Sequence, residues 1–163
     1  MKSGRGTLLG NAGEYFVIAE LLRRDIIAGL LPRNAPGMDI LATTGKRSFK
    51  IRVKTKSDEA DSWVWMAKGE GAAEPIFIGL QNDDRDDLTA LVAVPDDGPP
   101  TVHIVRTNGL DALLKKRHRE WLARPGKRGQ AHNPSKMRRL IVGPELEALC
   151  SEHGVRWEEL KAP

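Results

Sequence analysis

"PGMDILATTGKRSFKIRVKTKS", residues 36–57, is the stretch that determines the fold class of this chain. Two apolar runs flank the residues TGKR, and two such runs around a short turn with glycine predict a β-hairpin. In the second run apolar and basic side chains alternate, which places Ile51 and Val53 on one face of a strand. The opposite face carries the cations Lys50, Arg52, Lys54 and Lys56.

The clearest helix signal precedes the hairpin, at residues 11–28. Four apolar residues recur there at helical spacing: Tyr15, Ile18, Ala19 and Leu22. Asn11 can cap the start, with Glu14 at the third helical position, and Gly29 is a natural stop. The prolines and glycine of residues 30–37 then predict a short extended piece and a turn.

Short apolar runs after the hairpin predict further strands, and two longer stretches predict helices. The predicted strands are residues 75–81, 88–95 and 101–106, with residues 62–71 ambiguous between a strand and an irregular edge. The predicted helices are residues 107–124 and 143–160, the latter as one helix or two. This order predicts one α/β domain over residues 1–163, with a mixed sheet.

The composition limits the class of protein. The chain has 163 residues, of which 40% are hydrophobic and 29% charged, as is typical of a soluble globular domain. We expect no membrane interaction, since no apolar run approaches the roughly 18 residues that a membrane span needs. The start lacks the apolar segment of a secretory signal, and a single cysteine, Cys150, excludes an internal disulfide. The sequence therefore predicts a cytoplasmic protein.

The net charge of +4 conceals alternating blocks of charge. Residues 1–56 carry 11 basic and 4 acidic side chains, whereas residues 57–100 carry 2 and 11. Residues 101–142 again carry 11 and 2, and residues 143–163 carry 2 and 5. Basic blocks of this density can bind phosphates, but oppositely charged blocks can equally face and attract one another.

The second basic block contains the predicted nucleic-acid contacts, in a basic helix and loop at residues 107–139. Lysine and arginine there would meet phosphates, and Trp121 would either pack in the core or stack on an unpaired base. The candidate contacts are Lys115, Arg117, Arg119, Lys127, Arg128 and Arg138, together with Arg52 on the hairpin.

Residues 10–57 resemble the PD-(D/E)xK nuclease superfamily, near its Holliday-junction-resolvase and restriction-endonuclease-like branches. The resemblance lies in "GEYFVIAELLRR", Asn34, "GMDI" and "IRVKT". It implies an αβββαβ core with a mixed sheet, to which this chain adds C-terminal helices. It also implies that Glu14, Asp39 and Lys54 are catalytic and act with Mg²⁺ or Mn²⁺ on DNA. Glu14, Asp39 and the Val53 carbonyl would supply oxygen ligands to the metal.

Arg52 departs from the family pattern, because it occupies the place of the second motif acid or glutamine. A guanidinium there would repel a metal ion and weaken its binding. Alternatively, Arg52 could bind phosphate, or pair with Asp39 or Glu14 in a site without metal. Three functions stay open: a metal-dependent nuclease, an inactive nucleic-acid binder and a protein-interaction module. The nuclease fold also implies a homodimer, since cutting both strands needs two sites.

The later half of the chain resembles small bacterial proteins of nuclease-like type. The resemblance lies in "SWVWMAKGE", "PIFIGL", "HREWLARPGKRGQAHNPSKMRRL" and "VRWEEL". It implies the same fold and no particular reaction.

Overall fold

A computed structural model of the chain describes residues 5–33, 35–68, 75–80, 86–132 and 137–161. Some of the motif residues named above lie outside the described residues. These are Asn34, Glu70, Gln81 and residues 133–136 of the basic loop.

The described helices and strands form one α/β domain, as predicted. They are α1 (Arg5–Leu22), β1 (Ile27–Leu30), β2 (Ile40–Thr43), β3 (Ser48–Ser57), β4 (Ser62–Lys68), β5 (Ile76–Phe77), β6 (Asp87–Val94), β7 (Thr101–Arg106), α2 (Thr107–Ala123), β8 (Met137–Ile141) and α3 (Pro144–His153), followed by a 3-10 turn at Trp157–Leu160. The ambiguous stretch forms β4, and β8 is a strand that the sequence patterns did not indicate. No helix in the described part of the chain is both long and apolar enough to span a membrane.

Five strands form one mixed sheet, in the order β1-β2-β3-β6-β7. The predicted hairpin is present as the antiparallel pair β2 and β3, with Ile40 opposite Ile51. β3 and β6 are parallel, and the connection between them contains β4 and β5 in its described part. Strands β5, β4 and β8 form a second, three-stranded antiparallel sheet.

The five-stranded sheet separates two apolar cores. α1 covers one face, where Val17 and Leu21 pack against residues such as Phe49 and Ile51. The other core lies among α2, α3 and the small sheet, and it contains Trp63, Trp65 and Leu114. β6 serves both cores because successive side chains of a strand point to opposite faces. Leu88, Ala90 and Val92 belong to the first core, and Leu91 belongs to the second.

α1 differs from its predicted bounds at both ends. It begins at Arg5, before the predicted cap Asn11, and it ends at Leu22. Asp25 adopts the left-handed conformation with φ of 58°. The amide of Ile26 donates to the Leu21 carbonyl at 3.1 Å, which closes the helix in a Schellman arrangement. The predicted end of the helix at residue 28 was wrong because Asp25, rather than Gly29, occupies the terminating position.

The buried face of α1 is also not the one that the predicted periodicity marked. Val17 and Leu21 are fully buried, whereas Tyr15, Ala19 and Leu22 are exposed and Ile18 is half-buried. α1 carries apolar side chains on both faces, so periodicity alone cannot tell which face meets the sheet.

Candidate active site

The candidate site lies just before the start of β2, where β3 extends beyond its pairing with β2. The Asp39 amide donates to the Ile51 carbonyl at 3.0 Å, as a ladder residue would. Its side chain then turns along β3, and Oδ2 accepts the Val53 amide hydrogen at 2.7 Å. The carboxylate thus accepts the hydrogen bond that a backbone carbonyl of β2 would accept from Val53 if the pairing of the two strands continued. The Val53 carbonyl faces the same edge, because the amide and carbonyl of one strand residue point the same way.

α1 brings Glu14 to this edge through a close approach at the preceding residue. A Cβ added at Gly13 would collide with the Thr55 side chain, so only glycine permits this distance between α1 and β3. Glu14 and Asp39 line one cavity of about 260 Å³. Its other lining residues are Thr7, Gly10, Asn11, Leu31, Pro32 and Arg33.

The two carboxylates influence each other electrostatically. Partial burial raises the pKa of Glu14 above its usual value, and the negative charge of Asp39 raises it further. The positive charge of Arg33 lowers the pKa of Glu14 and so opposes both effects. A cation in the cavity would relieve the repulsion between the two acids.

Arg33 is a site residue that the sequence patterns missed. It lies in the turn between β1 and β2, and its guanidinium donates to the Asn11 side chain at 3.3 Å. The turn composition of residues 30–37 indicated a connection and no function. The available signal was the position of a single arginine only six residues before Asp39.

Lys54 lies on the other face of β3 and is not among the residues that line the cavity. Its Nζ is 5.8 Å from the centre of the Trp65 ring. Burial lowers the pKa of Lys54, and the positive charge of Arg52 lowers it further, whereas Asp39 raises it. Asp39 is therefore coupled to both Glu14 and Lys54, although those two side chains do not share one cavity.

Arg52 has a different neighbour from those expected. Its guanidinium lies against Gly79, where an added Cβ would collide with it. Among the described residues Arg52 does not line the acidic cavity, and it forms no ion pair with Asp39 or Glu14. Gly79, with φ of 90°, leaves the space that this long side chain fills. The alternative of an ion pair between Arg52 and Asp39 or Glu14 is therefore absent, and among the described lining residues the cation is Arg33.

The donor set suits a hard cation with few protein ligands. The described residues contain no group of three or more histidine, cysteine, aspartate or glutamate side chains that could hold a metal. Mg²⁺ in phosphate chemistry commonly takes one or two carboxylates and retains several waters. Glu14, Asp39 and the Val53 carbonyl fit that modest requirement, and they do not fit a closed structural metal site.

Three of the seven predicted nucleic-acid contacts have protein partners for their charged groups. Lys115 pairs with Asp111 at 2.6 Å. Arg117 pairs with Glu145 at 2.6 Å and donates to the Arg139 carbonyl at 2.8 Å, so it ties α2 to α3 and β8. The guanidinium of Arg138 contacts His118 and lies over the Trp121 ring at 4.6 Å. The structure leaves Arg119, Lys127 and Arg128 exposed.

Comparisons with known proteins add little to this geometry. No protein-family model and no curated protein matches the sequence. Among solved structures, a bacterial homing endonuclease is similar with a TM-score of 0.48 and 11% sequence identity. The alignment covers 86% of this chain and 81% of the endonuclease. A similarity this weak carries no argument, so the chain's own residues have to support any function.

Proposed function

We propose that this chain binds DNA and hydrolyses its phosphodiester bonds, with Mg²⁺ or Mn²⁺, at the cavity formed by Glu14 and Asp39. The observation that carries the proposal is the position of Asp39. Its carboxylate is fixed on the open edge of β3 by the Val53 amide, and its charge acts on Glu14 on one side and on Lys54 on the other. Two acids and a half-buried lysine around one strand end suit phosphoryl chemistry.

Each residue has a distinct proposed role. Glu14, Asp39 and the Val53 carbonyl would hold the metal ion, which when bound supplies positive charge for the phosphate oxygens. Lys54 does not line the cavity, so it would act past the Asp39 carboxylate at the edge of β3, to orient the attacking water or stabilise the negative charge that develops on the phosphate. Arg33, at the cavity, would bind a phosphate oxygen pair through its planar guanidinium. Arg52 would take part only through its charge on Lys54.

The DNA would also contact the exposed cations of the basic loop, Lys127 and Arg128. Their exposure suits contacts to phosphates, which position the duplex without reading its sequence. Lys115, Arg117 and Arg138 would contribute less, since protein partners already hold their charged groups.

An alternative function is DNA binding without cleavage, and the position of Arg33 favours it. Arg33 partly offsets the negative charge of the cavity without any metal, as its effect on Glu14 shows. A cavity whose negative charge is already partly neutralised would bind a divalent ion less tightly. In that case the chain would hold DNA through its exposed cations alone.

A cleavage assay distinguishes the two functions. The full chain is incubated with supercoiled plasmid DNA in Mg²⁺, Mn²⁺ or chelator, and metal binding is followed by calorimetry. We expect nicking with metal only, and its loss in Asp39→Asn and Lys54→Ala, with DNA binding retained. Asp96→Asn, which changes an exposed acid in a turn, is the matched control and should cleave normally.

The alternative function predicts a different outcome. If the wild-type chain binds DNA but neither cleaves it nor binds either metal, the cavity is not a nuclease site. If cleavage occurs but survives both substitutions, the reaction takes place elsewhere on the chain.

A further inference from the structure

One wall of the cavity is a row of polar side chains on α1. Thr7, Asn11 and Glu14 line it, and their spacing of four and three positions places them on one face of the helix. Arg33 and Asp39 line the same cavity from the part of the chain that follows β1. Two carboxylates, a guanidinium and a side-chain amide therefore share this space.

The guanidinium of Arg33 does not lie on either carboxylate. A guanidinium that shares a small cavity with two acids would ordinarily form a bidentate ion pair with one of them. Among the described residues Arg33 forms no ion pair with Glu14 or Asp39. Its charge nevertheless lowers the pKa of Glu14, so the two groups are near enough to attract each other. A contact other than this attraction therefore determines where the guanidinium lies.

The side chain of Asn11 supplies that contact. The Arg33 guanidinium donates to the Asn11 amide oxygen at 3.3 Å. When the amide is turned by 180°, the contact with Arg33 remains at 3.2 Å, and the amide nitrogen donates to the Thr7 carbonyl, also at 3.2 Å. The second hydrogen bond runs back one turn of α1. The helix backbone can thus hold the amide nitrogen while the amide oxygen holds Arg33.

An ion pair between Arg33 and either acid would compete with a metal ion. A divalent cation needs the carboxylate oxygens of Glu14 and Asp39, and an oxygen that accepts from a guanidinium is less available to it. An exposed ion pair is weak, so the competition would change the metal affinity by about two- to fivefold. The Asn11 amide is neutral, so it binds the guanidinium without adding a third negative charge to the cavity.

We infer that Asn11 is a positioning residue that holds the Arg33 guanidinium away from Glu14 and Asp39. Both acids are then available to a divalent cation, and the guanidinium is available for the phosphate role proposed above. The choice of these ligands rests on the proposed function. The restraint on Arg33 rests on contacts within the chain, so it can be tested without metal or DNA.

Chemical denaturation in chelator at pH 7 tests the restraint. The interaction of Arg33 with the two acids is measured as the coupling between Arg33→Ala and the joint change Glu14→Gln with Asp39→Asn. Without the Asn11 amide Arg33 should move onto the acids. The coupling should therefore grow by about two- to fivefold in the unfolding equilibrium constant when Asn11→Ala is the background. Asn108→Ala, at an exposed position on α2, is the matched control and should leave the coupling unchanged.

Calorimetry with Mn²⁺ tests the consequence for the metal. We expect Asn11→Ala to bind Mn²⁺ about two- to fivefold more weakly than the wild type, while circular dichroism shows an intact fold. Arg33→Ala should bind Mn²⁺ at least as tightly as the wild type. Adding Asn11→Ala to Arg33→Ala should have no further effect, because the competing cation is gone. A weakening that persists without Arg33 would show that Asn11 acts on the metal directly, and it would overturn the positioning role.

The two measurements separate this inference from the proposed function. If the coupling grows in Asn11→Ala but the wild type binds no divalent cation, the positioning role holds and the proposed hydrolysis is wrong. If the wild type binds Mn²⁺ but the coupling is the same with and without the Asn11 amide, the positioning role is wrong and the proposed hydrolysis stands. Equal growth of the coupling in Asn108→Ala would also overturn the positioning role.

Discussion

Asp39 is the residue on which the candidate site depends, because its charge acts on two other ionisable groups. Replacing it by asparagine keeps an oxygen that can accept the Val53 amide but removes the charge. We therefore expect Asp39→Asn to lower the pKa of Glu14, which loses a like charge, and also to lower the pKa of Lys54, which loses an opposite charge. Titration followed by side-chain NMR measures both. Asp96→Asn should change neither pKa. An unchanged pKa of Glu14 in Asp39→Asn would disprove the coupling between the two acids.

The ionised side chain of Glu14 should destabilise the fold at neutral pH. Its folded pKa is raised above 4.5, so the folded chain holds this proton at a pH at which the unfolded chain has released it. The proton on Glu14 therefore stabilises the folded chain fully below pH 4.5. This stabilisation is lost as the pH rises through the folded pKa of Glu14. Glu14→Gln carries no charge to bury. We expect it to raise the melting temperature at pH 7 by about 1–2 °C, a small effect because water screens the half-exposed group.

Melting curves in chelator at pH 4 and pH 7 measure this effect. The difference between Glu14→Gln and the wild type should grow with pH. Glu147→Gln, on the exposed surface of α3, is the control and should show no such trend. A less stable Glu14→Gln chain at pH 7 would contradict the prediction.

At the scale of elements, the contact between α1 and β3 positions the site. Gly13→Ala would drive a methyl group into Thr55, and overpacking of this kind costs roughly 1–3 kcal/mol. We expect the melting temperature to fall by several degrees and the cavity acids to separate. Gly10→Ala is the matched control on the same helix, since an added Cβ there meets nothing within 4 Å. It should be neutral or stabilising by up to about 1 kcal/mol.

A double substitution identifies the cause of that destabilisation. In a Thr55→Ala background, Gly13→Ala should cost clearly less, because the colliding side chain is shorter. Equal costs in both backgrounds would show that the close approach at Gly13 is not responsible.

At the scale of the whole molecule, the basic residues divide into structural and exposed groups. Removing Lys127 and Arg128 together should reduce the slope of log affinity for DNA against log salt by about 1.8. Removing Arg117 should leave that slope unchanged and lower stability by about 1 kcal/mol, because this residue bridges α2 to α3. Fluorescence anisotropy between low and moderate salt measures the slopes, and Lys46→Ala, in the exposed hairpin turn, is the control. An unchanged slope without Lys127 and Arg128 would show that DNA binds elsewhere.

Local patterns in the sequence determined the hairpin, its cationic and apolar faces, and the α/β class. Each depends on neighbouring residues, because strand alternation and turn composition act over a few positions. The same reasoning failed at α1. Asp25 takes the terminating conformation usually given to glycine, and a helix apolar all round does not reveal its buried face. Both outcomes depend on what packs against the helix.

Only the tertiary structure decided the neighbours of each charged group. The sequence placed Arg52 two residues before Lys54, which suggested a cation beside the acids. The fold instead lays Arg52 against Gly79 and brings Arg33 from a turn to Glu14. It likewise engages Arg117 with Glu145, 28 positions away. Side-chain charge is fixed by residue type, but its effect on a pKa or a ligand depends on distance and burial, which only the folded chain sets.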